Sequence, residues 1–220
     1  MRSRTLILAT LVAAAALPAF AADNRIPIVD EGKLGDQWTL VPGTQLMPPY
    51  PEAYAKSPEE VCMVVGYLVN ADGTTSDFSL LKSWASGDNS RSRKEFWSEF
   101  ADLSSRALAQ WRYAPGNAAS AKPVYTAATF VFGKRDAAIE TKQHCEVADL
   151  GTRLAELRYN GRAGRMMARG IYSQLAIDPG VEERMRQRSV TWREERDQGQ
   201  AANSWQNERA AEAKMPQSNK

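Results

Sequence analysis

The chain has 220 residues, with 28 Lys and Arg against 26 Asp and Glu, one histidine and two cysteines. Residues 1–21 hold two of the arginines and no acid, so the remainder carries 26 basic and 26 acidic side chains. That balance gives no electrostatic case for a nucleic-acid partner.

Arg2 and Arg4 precede an apolar run, Thr5 to Leu17, and a small-residue site, Ala19-Phe20-Ala21. The pattern is that of a secretory signal, shorter than the roughly 20 residues of a membrane-spanning helix, and predicts a periplasmic destination; an uncleaved anchor is the alternative. In an oxidising compartment Cys62 and Cys145 are most simply read as one disulfide. A metal site would need more ligands than these two and His144 provide, and none is expected.

Residues 22–45 carry scattered apolar side chains among prolines, glycines and charges, which predicts a loosely packed arm. Val61 to Asn70 is a dense apolar, β-branched run suited to a central strand. Asn70-Ala-Asp-Gly73 supplies a hairpin turn. From Thr74 to Trp84 a second strand follows, with Phe78, Leu80 and Trp84 on one parity and a wet opposite face. Phe96, Phe100, Leu103, Ala107 and Trp111 recur at helical spacing, and Pro115 and Gly116 stop that helix. Pro123 to Gly133 alternates as a third strand. The fold class is therefore α+β: a small antiparallel three-stranded sheet with one packed helix, in the order strand–strand–helix–strand.

Five segments are expected: signal 1–21, arm 22–45, sheet-and-helix domain 46–146, charged helical extension 147–197 and disordered tail 198–220. Leu150, Leu154 and Leu157 form one apolar stripe of the extension, and Met167, Ile171 and Leu175 another. Arg158, Arg162, Arg165 and Arg169 recur at helical spacing, a candidate anion-binding stripe for an acidic partner or anionic membrane surface; pairing with Glu156, Glu182 and Glu183 is the plainer reading.

Tyr50-Pro51, the strand 61–69, Asp72-Gly73 and Trp111-Arg-Tyr-Ala-Pro-Gly116 fall in an order that resembles the carboxy-terminal domain of the TonB family, over residues 45–133. Within that resemblance Tyr50, Pro51, Gly73, Trp111, Tyr113 and Pro115 are chiefly builders of the fold. The resemblance implies a periplasmic protein-binding module whose strand edge pairs with a peptide of an outer-membrane transporter or another envelope protein. Here the edge is 123–133, with Val124, Thr126, Ala128, Thr129 and Phe130 as partner-binding residues, and no charged side chain guards it from 124 to 132. Pairing with another chain, with the protein's own arm, or with a second copy in a homodimer are the three uses open to it.

The chain departs from the family in lacking a Pro-rich spacer, a histidine in the apolar amino-terminal run and a glycine near Glu59-Glu60-Val61. These departures point to an exported relative that keeps the binding module without the motor connection. A structural or self-associating envelope protein is the competing expectation. Catalysis is not expected: the single histidine is the only ready base at neutral pH, and no nucleophile elbow, phosphate loop or zinc motif occurs, nor is a cofactor expected.

Overall fold

The computed structural model describes residues 24–35, 37–87, 94–116, 121–159 and 169–190. The expected signal and tail, and Arg162, Arg165 and Met167, lie outside them. The main sheet has three antiparallel strands in the order β3-β2-β5, with β2 (Val61–Val69) in the middle, β3 (Thr75–Ala85) on one side and β5 (Val124–Phe132) on the other. A small second sheet pairs β1 (Trp38–Leu40) with β4 (Tyr113–Pro115). Helix α1 (Lys94–Leu108) joins β3 to β4, and α2 (Ala138–His144), α3 (Leu150–Tyr159), α4 (Arg169–Tyr172) and α5 (179–190) follow β5.

Every residue of β2 is buried, because both faces of the sheet are covered. One face carries Val61, Met63, Val65, Tyr67, Val124, Ala128, Phe130 and Phe132 against Phe96, Phe100 and Leu108 of α1. The other carries Cys62, Val64, Leu68, Leu81, Tyr125 and Ala127 against Leu150, Leu154, Ala155, Ile171, Leu175 and Met185. The residues after Cys145 thus complete a core shared with the sheet, although their charged composition reads as a separate extension. The alternation of β5 falls as its sequence predicts.

Strand β3 departs from simple alternation. Val64 pairs with Lys82 and Val65 with Leu80, which leaves Leu81 as an extra residue, and a second irregularity between Gly66 and Leu68 falls where Asp77 adopts φ 54°. A bulge re-aims the side chains beyond it. Phe78 and Leu80 therefore pack towards α1, while Trp84 points to the opposite face with Leu81. The single-parity reading of Phe78, Leu80 and Trp84 is corrected accordingly. The face expected to be wet is partly covered: Ser79 and Leu81 are buried.

Helix α1 stops at Leu108, a turn before Trp111, and the Trp111–Gly116 run enters a strand rather than ending a helix. Trp111 is still buried, its indole N–H donating to the Leu46 carbonyl at 3.1 Å. Ser104 occupies the buried stripe and Leu103 lies at its margin. The arm is also firmer than expected, since Trp38, Thr39 and Leu40 are in register with Pro115, Ala114 and Tyr113.

Cys62 and Cys145 are disulfide-bonded, with Cα atoms 6.0 Å apart and both residues fully buried. The bridge pins the end of α2 to the central strand. Gly66 sits opposite Ala127 in the middle of β2; a Cβ there would run into the Tyr125 hydroxyl.

Candidate partner-binding edge

Strand β5 is hydrogen-bonded to β2 along one side, through nine registered pairs from Val61–Phe132 to Val69–Val124. Its other side is where an added strand would lie. Backbone groups of alternate residues face that side, and Tyr125 identifies which: its N–H donates to the Pro27 carbonyl and its C=O accepts from the Val29 N–H, both at 2.9 Å. The protein's own arm has thus taken a place on the edge, running parallel to β5 with Ile28 beside Tyr125.

The backbone pairing ends there. Two residue pairs further along, at Thr129, a side chain replaces it: the N–H donates to one carboxylate oxygen of Glu31 at 2.8 Å and the hydroxyl donates to the other. By the same alternation the backbone of Ala127 and Val131 faces outward, and among the described residues no further backbone pairing of β5 is formed there. The uncharged run 124–132 is therefore guarded after all, by an acid from the arm.

The arm is held at other points. Ile26 accepts from the Ala176 N–H at 2.8 Å and donates to the Gln174 carbonyl at 2.7 Å, and Asp30 accepts from the Leu150 N–H at the start of α3, at 2.9 Å. That backbone bond, followed by Lys33, holds the Asp30 carboxyl below its usual range. Even so, no residue from 24 to 33 is buried. Beside the edge, a cavity of about 400 Å³ is lined by Trp38, Tyr67, Trp111 and Tyr113, by 127–130 of β5, and by Glu31 and Lys142. Met47, also in its lining, is 60% exposed.

Four of the five residues expected to bind a partner, Val124, Thr126, Ala128 and Phe130, have buried side chains, so only their neighbourhood and not their side chains meets a visitor. Thr129 is half-buried and holds Glu31. The residues that shape the edge, Glu31, Tyr67, Met47 and Lys142, are missed by the sequence reading; Ile26-Pro27-Ile28-Val29 followed by two acids was the available signal, a short apolar run too brief to stand out as a strand.

The motif residues are occupied in construction. Tyr50 packs edge-on against Phe100, accepts from the Glu59 N–H at 2.9 Å and donates to the Glu59 carbonyl at 3.2 Å. Pro51 is buried ahead of a single 3-10 turn, Glu52–Tyr54. Gly73, at φ 79°, lies so close to the Tyr113 carbonyl that any side chain would strike it, and its own carbonyl accepts from the Tyr113 N–H at 2.9 Å. The Tyr113 and Tyr67 hydroxyls meet at 2.7 Å, and burial pushes both above the usual tyrosine range. Pro115 pairs with Trp38.

Of the arginine stripe, Arg158 donates to Glu182 at 3.0 Å and lies over the rings of Tyr172 and Tyr159, at 4.8 and 5.7 Å from their centroids. Arg169 is the first residue of α4. The other acids named beforehand also hold arginines, Glu156 with Arg153 and Glu183 with Arg186.

Among solved structures, the chain is similar to the solution structure of the Pseudomonas aeruginosa TonB carboxy-terminal domain, at 17% identity and a TM-score of 0.37, over 49% of this chain and 94% of that one. No protein-family model matches the chain, and no curated protein matches it in sequence. Among the described residues no helix is long and apolar enough to cross a membrane.

Proposed function

We propose that this is an exported, non-catalytic protein-binding module of the cell envelope, which takes an extended segment of a partner along the outer edge of β5. The observation that carries the reading is the arm itself: the edge at Tyr125 already accepts an extended, parallel segment through two backbone hydrogen bonds. An edge that takes one such segment recognises backbone first and side chains second, the basis of β-augmentation. The motif residues shared with the TonB family support a transporter peptide as the partner. Their work in this chain is to build the scaffold behind the edge.

A photo-reactive residue at Thr129 in intact cells tests this. Adducts to one envelope protein, mapping to an extended segment, are expected; adducts to the arm alone would defeat it. The competing reading, a structural or self-associating protein whose edge serves only its own arm, is favoured by the Glu31–Thr129 contact. It predicts no foreign adduct and a mass in solution set by self-pairing.

A further inference from the structure

We infer that residues 26–31 are an internal stand-in for the ligand of the β5 edge. The external ligand is then an extended peptide parallel to β5, with an apolar residue at the place of Ile28 and a carboxylate at the place of Glu31, and it binds by displacing the arm. This rests on the functional reading above and adds the ligand's chemistry and its regulation.

Three observations converge. The arm engages β5 in two different ways: backbone at Tyr125, and a carboxylate that takes both the N–H and the hydroxyl of Thr129. Charge-assisted bonds of the second kind select for an acid, whereas backbone pairing alone selects for nothing. The side chains alternate as in a strand, Ile26 and Ile28 against the core shared with the carboxy-terminal helices and Val29 against the α1 core. The pattern apolar–Pro–apolar–apolar–acid–acid of residues 26–31 is thus a readout of what the edge accepts.

The third observation concerns release. The covered strand is buried, Tyr125 completely and Ala127 to 5% exposure, while the arm over it is nowhere buried. A surface position marks a segment that opens at lower cost than the core beneath it. Immediately after Glu31, Gly32 adopts φ 81° with open space around it, and Gly35 is likewise unobstructed. The chain can swing there without disturbing β1. The lifted arm remains joined to β1 through the chain itself, so it returns as a competitor at high effective concentration. A free ligand then sees an affinity lowered by the fraction of molecules with the edge open.

The test uses the exported chain and a fluorescent peptide with the sequence of residues 24–33, read by anisotropy. Glu31 is exposed, so Glu31→Ala leaves the core intact; a second variant, Val29→Pro with Glu31→Ala, also removes the N–H that bonds Tyr125. The peptide is expected to bind both variants about tenfold or more tighter than the unaltered chain, and a peptide with its own Glu31→Ala to lose a similar factor. Equal binding to all three proteins, absence of binding, or a Glu31→Ala protein that dimerises by exchanging arms and rejects the peptide would each overturn the inference. Should the double variant not fold, the single one decides. Peptide binding without any foreign adduct at Thr129 in cells would instead count against the functional reading alone.

Discussion

Trp84 lies flat on His144, with ring centroids 3.8 Å apart and planes 6° from parallel. Trp84 is the cross-strand partner of Cys62, and His144 immediately precedes Cys145, so the stack ties the end of α2 to β3 beside the disulfide that ties it to β2. Because the bridge closes a separation of 83 residues, replacing both cysteines with alanine is expected to cost about 2–5 kcal/mol. Urea unfolding measures it; an unchanged midpoint would refute the role of this tether.

Gly66→Ala is expected to destabilise by about 1–3 kcal/mol, since the new methyl overlaps the Tyr125 hydroxyl and comes within 2.9 Å of Leu81. Adding Tyr125→Phe removes the nearest obstructing atom and should recover part of the loss, the ring carbon and Leu81 still crowding the methyl at 2.9 Å. A double-mutant cycle showing plain additivity would contradict the proposed collision.

Alkaline pH should unfold the protein. Burial raises Tyr67 and Tyr113 and pushes Tyr125 up to about 12, with desolvation the leading cause in each. In the unfolded chain tyrosines ionise near 10. The folded state therefore holds more protons above that pH, and stability that is fully present below about 10 falls as pH rises beyond it. Unfolding at pH 8 and pH 11, with tyrosinate absorbance, checks this. All seven tyrosines titrating near 10 in an intact fold would sink it.

Amide exchange should alternate along the outer side of β5. Tyr125 and Thr129 have acceptors in Pro27 and Glu31 and should exchange slowly, with Ala127 and Val131 faster. Uniform protection across the four positions would mean that the edge is closed by something other than the arm.

Arg158→Ala is expected to loosen the joint between α3, α4 and α5 by about 1 kcal/mol or less, as its pair with Glu182 is half-exposed. Retention on anionic vesicles should not change. A variant of native stability that loses vesicle retention would assign an anion-binding role to this residue.

Much of the scaffold is readable from local pattern. The continuous apolar run 61–69 suits a strand covered on both sides, the alternation of 124–132 sorts its side chains onto the two faces, and two cysteines in a chain with a secretory pattern are most simply read as one bridge. What escapes has identifiable physical causes. A bulge at Leu81 is one unpaired residue with no sequence mark, yet it sends Trp84 to the other face. Trp111 keeps helical spacing from Ala107 although the helix has ended, because it packs against Tyr67 and Phe130 of the sheet and bonds the Leu46 carbonyl without continuing α1. The arm's role depends on contacts between residues nearly a hundred positions apart, Glu31 with Thr129, which no local window contains.

The two-sided burial of β2 has a practical corollary for anyone trimming the gene. A fragment ending at residue 146 would retain every motif that suggests a self-sufficient unit, yet strip Leu150, Leu154, Ile171 and Leu175 from above Val64, Leu68 and Leu81. The denuded surface would be greasy and adhesive. The smallest piece worth expressing therefore runs well past the apparent end of its recognisable half.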